Sequence, residues 1–115
     1  MPSKVVIHLF HAHESSLGSG AHVAERIGQV KDKRGVALEV YVFGPAEEAL
    51  ADPDQSELRN TLARLAADSI PVHVCRNTAE SLGQVEEFTG LGFTLEYARD
   101  AFVRFALEGA TVISF

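Results

Sequence analysis

The chain has 115 residues, 46% of them hydrophobic, with one cysteine and a formal net charge of -6. That size and composition fit one compact domain and leave no room for a second. The acidic balance excludes non-specific binding to nucleic acid or an anionic membrane, which lysine and arginine clusters drive; the longest basic run is only Lys31-Asp32-Lys33-Arg34. A single cysteine excludes an intramolecular disulfide, and the longest apolar stretch falls short of the roughly 20 residues of a membrane-spanning helix. The opening Met1-Pro2-Ser3-Lys4 runs directly into a strand-like segment and not into a signal sequence. The expectation is a cytoplasmic protein in a reducing compartment.

Val5-Val6-Ile7-His8-Leu9-Phe10 is a β-branched, nearly continuous apolar run, the pattern of a strand buried on both faces of a parallel sheet. His11 to Gly20 reads as a polar, glycine-bearing loop, and Ala21 to Arg34 as a helix with Val23, Ile27 and Val30 on its apolar side and Gly35 as its cap. Val36 to Phe43 alternates as a second strand, Gly44-Pro45 ends it, and a short helical piece covers Ala46 to Leu50. Asp52-Pro53-Asp54 breaks the pattern. Gln55 to Asp68 then sets Leu58, Leu62, Leu65 and Ala66 on one helical face.

Val72 to Cys75 reads as a third strand, followed by a short helix that Asn77 or Thr78 caps and Gly83 ends. Gly92 to Tyr97 gives a weaker fourth strand. Ala98 to Glu108 is a helix with Ala101, Phe102, Phe105 and Ala106 near one face, stopped by Gly109, and Thr111 to Phe115 is the last strand. The alternation predicts an α/β fold: a three-layer α/β/α sandwich around a mainly parallel sheet of about five strands, with sites at the carboxyl ends of the strands.

Cys75 falls at such an end, where a buried strand gives way to a helix. Unpaired amides there, with Arg76 next in sequence, favour a thiolate, the nucleophilic form of a group that otherwise titrates near about 8.5. The bland alternative is a small apolar filler, since free cysteine is among the most buried residue types. Asn77 and Thr78 fit helix capping better than direct chemistry, and Arg76 fits a solvated surface position.

His11 and His13 are the histidines to weigh as ligands, since i, i+2 spacing in an extended segment puts both rings on one side. A third ligand, Cys75 or His22, completes a metal site only if the loops converge, so the reading assigns no metal and no cofactor. His8 and His73 read as partly buried strand histidines and His22 as a helix-surface residue. Gly18-Ser19-Gly20 lacks the lysine pattern or dinucleotide fingerprint of a phosphate site and reads as loop. Ser15, Ser16 and Ser19 make no triad by sequence proximity, and Glu47-Glu48 and Glu86-Glu87 read as solvated charge.

Four segments together resemble the DsrE/DsrF-like family over nearly the whole length: Lys4-Val5-Val6-Ile7-His8, Val40-Tyr41-Val42-Phe43-Gly44-Pro45, Val72-His73-Val74-Cys75-Arg76-Asn77-Thr78 and Glu108-Gly109-Ala110-Thr111-Val112-Ile113. Cys75 with Asn77-Thr78 is the most specific of these. The resemblance implies a compact α/β protomer, homo-oligomers of three or six subunits, and a cysteine after a central strand that carries sulfur as a persulfide between a donor and an acceptor protein. Only Cys75 can hold that role. Phe10-His11-Ala12-His13 departs from the more asparagine-bearing segment expected of the sulfur-relay members.

The expected function is therefore a sulfur carrier with Cys75 as the catalytic thiol and Arg76, Asn77, Thr78, His11 and His13 as binding residues. The competing reading is an oligomeric small-ligand-binding or regulatory module with no sulfur transfer. A reachable, reactive thiol favours the first, and an inert, buried one the second.

Overall fold

A computed structural model describes residues 3–115; the reading of Met1-Pro2 as a direct lead into the first strand lies outside the described residues. The elements run β1 (Ser3–Leu9), α1 (Glu14–Arg34), β2 (Val36–Val42), α2 (Pro45–Ala51), a 3-10 turn (Pro53–Gln55), α3 (Ser56–Ala67), β3 (Val72–Val74), α4 (Arg76–Leu82), α5 (Val85–Gly90), β4 (Thr94–Leu95), α6 (Ala98–Glu108) and β5 (Thr111–Ser114). All strand pairs are parallel, in the order β4-β3-β2-β1-β5. Parallel neighbours need crossovers, and helices supply them on both faces, giving the three-layer sandwich.

The two outer layers are unequal. One face of the sheet packs Ile7, Leu9, Leu38, Val40, Val42, Val72 and Val74 against residues of α1 to α5. The other packs Val6, Tyr41 and Cys75 under α6 alone, through Ala101 and Phe105. Because alternate strand residues point to opposite faces, the β1–β2–β3 register puts His8, Tyr41 and His73 side by side under α6. β2 is buried from Leu38 to Val42, Glu39 and Tyr41 included. Both of its faces are covered.

Three elements depart from the sequence reading. Helix α1 begins at Glu14, so Gly18-Ser19-Gly20 lies within the helix and not in a loop. Each glycine costs about 1 kcal/mol against alanine in a helix, and the burial of Leu17, Gly20, Ala21 and Ala24 against the sheet offsets that. Gly20 abuts Leu9 and Phe115, so the missing side chain is what lets the helix approach. Helix α4 begins at Arg76 with Cys75 in the N-cap position and no side-chain cap, so neither Asn77 nor Thr78 caps it. Helix α5 has no counterpart in the sequence reading; it is six residues anchored by Phe88, whose ring centroid lies 6.0 Å from that of Phe93.

Candidate thiol site

Strand β2 and the turn after it build the floor of the site. Gly44, at φ 65° and ψ -138°, takes a conformation essentially restricted to glycine, and a side chain there would also meet Phe10. The turn lets Ala46 N donate to Phe10 O at 2.8 Å and Glu47 N to Gly44 O at 3.0 Å, which starts α2 beneath the ends of β1 and β2. Ala46, Glu47 and Leu50 form the buried side of α2. Glu47, read from sequence as solvated charge, is 0% exposed.

Cys75 follows β3. Its backbone N–H donates both to Val42 O at 3.2 Å and to Glu47 Oε1 at 3.1 Å. The segment that leads from β4 into α6 closes over it: Glu96 N donates to Val74 O at 3.0 Å, Arg76 N to Glu96 O at 3.3 Å, and the Tyr41 hydroxyl to Glu96 O at 2.8 Å. Only 3% of Cys75 remains exposed.

Burial is the largest influence on the thiol and disfavours its ionisation, yet the amides of Thr78, Ala98 and Asn77 and the Thr78 hydroxyl outweigh it and bring Cys75 below the usual thiol range. Those donors come from two separate chain segments, the first turn of α4 and the start of α6. Tyr41 moves the other way: burial first, then the charge and hydrogen bond of Cys75, hold its hydroxyl well above the ordinary range. Burial, aided by the charge of Cys75, pushes Glu47 up to about 8. The site thus combines a thiol biased toward thiolate with a carboxyl and a phenol biased toward their neutral forms.

The remaining expected residues are spread out. Thr78 is half-buried at the thiol, while Arg76 and Asn77 are exposed. Arg76 Nε stands 3.9 Å from Glu80 across one turn of α4. His11 and His13 are exposed in the β1–α1 connection, where His11 N donates to Phe115 O at 3.1 Å and His13 Nδ1 meets Ser15 Oγ at 3.3 Å. Among the described residues, neither joins Cys75 or His22 in a group of three ligand-bearing side chains. His8 is buried, with Nδ1 2.9 Å from Ser114 Oγ and its ring edge-on to Phe102 at 5.1 Å, and burial lowers its pKa.

Toward the other end of α6, Glu39, His73 and Glu96 bring ligand atoms within 4.8 Å of one another. A cation already occupies the centre of that group. Arg104 donates to both Glu39 oxygens, at 3.0 and 2.6 Å, and to both Glu96 oxygens, at 2.8 and 3.0 Å, while Lys4 Nζ lies 2.7 Å from Glu39. This is an ion-pair network that ties β1, β2 and the β4–α6 segment to α6, not a vacant metal centre.

Glu47 is the residue that sequence reasoning missed. Its signal was the spacing Ala46, Glu47, Leu50, which sets a glutamate on the apolar side of a helical turn just past a strand end.

No protein-family model matches the chain, and no curated protein does. Among solved structures it is similar to the conserved protein of unknown function BT1422 from Bacteroides thetaiotaomicron, at 15% identity and a TM-score of 0.81 over 98% of this chain and 95% of that one. It is also similar to the protein of unknown function MTH1491 from Methanobacterium thermoautotrophicum, at 19% identity and a TM-score of 0.77 over 98% and 99% of the two chains. The ychN protein from E. coli matches at 15% identity and a TM-score of 0.68 over both whole chains. At such identities the likeness is one of fold alone.

Proposed function

We propose that this chain is a DsrE/DsrF-like sulfur-relay protein that accepts sulfane sulfur on Cys75 and passes it on as a persulfide. What carries the reading is the place of the sole cysteine at the N-cap of α4 and under the segment that enters α6, where the influence of nearby amides exceeds that of burial and favours the thiolate. A hydrophobic filler would need no such donors. In the loading step the Cys75 thiolate attacks the outer sulfur of a donor persulfide. A new S–S bond forms, the donor's S–S bond breaks, and its electron pair leaves on the donor sulfur. Delivery is the same exchange with an acceptor thiolate attacking, and a stabilised Cys75 thiolate is then the better leaving group. Both partners are proteins in a reducing cytoplasm, and the carrier works as a homo-oligomer of three or six subunits. Exposed Val103, Leu107, Val112 and Ile113 support such association.

The 3% exposure of Cys75 favours the second reading, a binding or regulatory module in which the thiol only lines a pocket. Access and ionisation pull in opposite directions, and reactivity decides between them. Intact mass of the folded chain after incubation with a persulfide donor is expected to rise by one sulfur, with no rise in Cys75→Ser of unchanged fold. Equal loading of that variant, or a thiol that alkylates only after unfolding, overturns the relay reading in favour of the binding module.

A further inference from the structure

The relay step leaves one buried group beside the thiol without a task. Glu47 is 0% exposed; its Oε1 accepts from the Cys75 amide at 3.1 Å, and its Oε2 is buried with no hydrogen-bond partner among the described residues. An ionised carboxylate in a dry site calls for donors to both oxygens, whereas a protonated one leaves a single hydroxyl to be placed. A buried carboxyl with one donor on Oε1 and no partner on Oε2 therefore costs less as the neutral acid than as the carboxylate.

We propose that Glu47 stores a proton beside the Cys75 thiolate, so that the buried pair holds one proton and one negative charge, and that it gives up this proton when the sulfur charge is consumed in bond formation. The inference rests on Cys75 being the working thiol of the proposed relay. The balance then closes without an outside acid. Cys75 thiolate, protonated Glu47 and a donor persulfide become Cys75 persulfide, ionised Glu47 and a donor thiol, and the site carries one negative charge before and after. Delivery reverses the count: Cys75 persulfide, ionised Glu47 and an acceptor thiol become Cys75 thiolate, protonated Glu47 and an acceptor persulfide, the acceptor's thiol proton passing to Glu47 as its sulfur attacks. Glu47 is in this scheme a positioning and proton-holding residue, since its hydrogen bond is to the Cys75 amide and not to the sulfur.

The surroundings agree. Burial is the largest influence that keeps Glu47 protonated, the Cys75 charge adds to it, the Cys75 amide opposes both, and no cation acts on it. The nearby strand contributes Tyr41, a buried phenol. Ahead of α6, Glu96 is held by Arg104 and His73. On α4, Arg76 is exposed beside Glu80; on α3, Arg59 is committed to the Leu50 and Asp52 carbonyls; on α2 itself, Glu48 is exposed.

Infrared spectra of the full chain across pH test the pairing. The expected result is a carboxylic-acid carbonyl band that disappears with a midpoint of about 8 and is missing from Glu47→Gln. In Cys75→Ser, which removes the neighbouring charge, the midpoint is expected to fall by about one pH unit, because strongly coupled sites titrate as a pair. Alkylating Cys75 with iodoacetamide is expected to do the same. A hydrogen bond serving structure alone predicts no such movement. Absence of the acid band at pH 7, or one midpoint shared by the wild type and Cys75→Ser, overturns the proposal. Neither readout depends on sulfur transfer. Coupled titration in a protein that takes up no sulfur sinks the relay and leaves the pair, whereas sulfur loading with independent titrations sinks the pair alone.

Discussion

Cys75 and Glu47 are 28 positions apart and share one backbone amide as a contact point. Burial acts on both in the same sense, against the charged form, and the donors around each decide the outcome. Cys75 has amides from two segments and ionises more readily, while Glu47 has one and does not. The linkage to stability follows from the sign of the shift. Glu47 titrates at about 8 in the native chain against an ordinary 4.5, so the native state binds more protons between those values and stability falls as pH rises through that window. Each pH unit is worth about 1.4 kcal/mol at most, or a few kcal/mol across the window. Glu47→Gln keeps an acceptor for the Cys75 amide and loses the titration. Urea unfolding at a series of pH values is expected to give equal stabilities below pH 4.5 and a variant more stable by a few kcal/mol near pH 8. The Cys75 contribution has the opposite sign. Parallel profiles would mean that Glu47 is ionised in the native state.

Among the described residues, α6 is the one helix packed on its face of the sheet, with Ala101 and Phe105 buried and Ala98 and Phe102 partly buried there. Charge does much of the fastening. Arg104 bridges Glu39, Glu96 and Glu108, its hydrogen bonds to Glu39 hold it further toward the charged form, and its guanidinium lies 4.9 Å above the Phe105 ring. Glu39 feels burial first, which raises its pKa, and the Arg104 and Lys4 bonds more than offset that; Glu96 is lowered chiefly by Arg104. Both carboxylates therefore contribute stability above the ordinary carboxylate range, lost as pH falls through their depressed values. Removing one partner of a buried pair costs more than the pair is worth, because the other charge is stranded. Arg104→Met is expected to destabilise the fold by about 3 kcal/mol. Hydrogen exchange is expected to show α6 amides opening before those of α1, and adding Glu39→Gln should recover part of the loss. Uniform loss of protection across both helices would show that α6 is not separately latched.

At the scale of the molecule, the thin layer has an apolar exterior. Val103 is 55% and Leu107 82% exposed, one turn apart on the outer side of α6, and β5 is an edge strand exposed along its length with Val112 and Ile113 at 38% and 42%. Exposed edges and grouped apolar residues invite association. Sedimentation velocity of the full chain is expected to give three or six subunits, and Leu107→Glu to shift the distribution toward smaller species. A monomer at micromolar concentration overturns the oligomer. No helix of the described residues is long and apolar enough to cross a membrane.

Much of this architecture was legible along the chain because local patterns specify it. The apolar run of β1, the Leu58, Leu62, Leu65 face of α3 and the glycine-stopped α6 each follow from side-chain periodicity and a terminator, and a regular alternation of strands and helices leaves few arrangements besides a parallel sheet between helices. The position of Cys75 at a strand end was legible for the same reason. What local pattern does not encode is which residues meet across the fold. The α1 glycines carry loop chemistry in sequence, yet Leu9 and Phe115 pack on Gly20 in a helix, and the Gly44 turn carries Glu47, a surface type of residue, beneath Cys75. His11 and His13, neighbours in sequence, stay exposed, whereas Lys4, Glu39 and the Glu96–Arg104 stretch converge from three distant segments. Sequence by itself determined the fold class and the candidate thiol, since both rest on periodicity and on chain order. Only the tertiary structure decided the rest of the thiol's surroundings, because its burial, the Ala98 amide and the buried Glu47 carboxyl come from segments that folding alone brings together, whereas the Asn77 and Thr78 amides follow it in the chain.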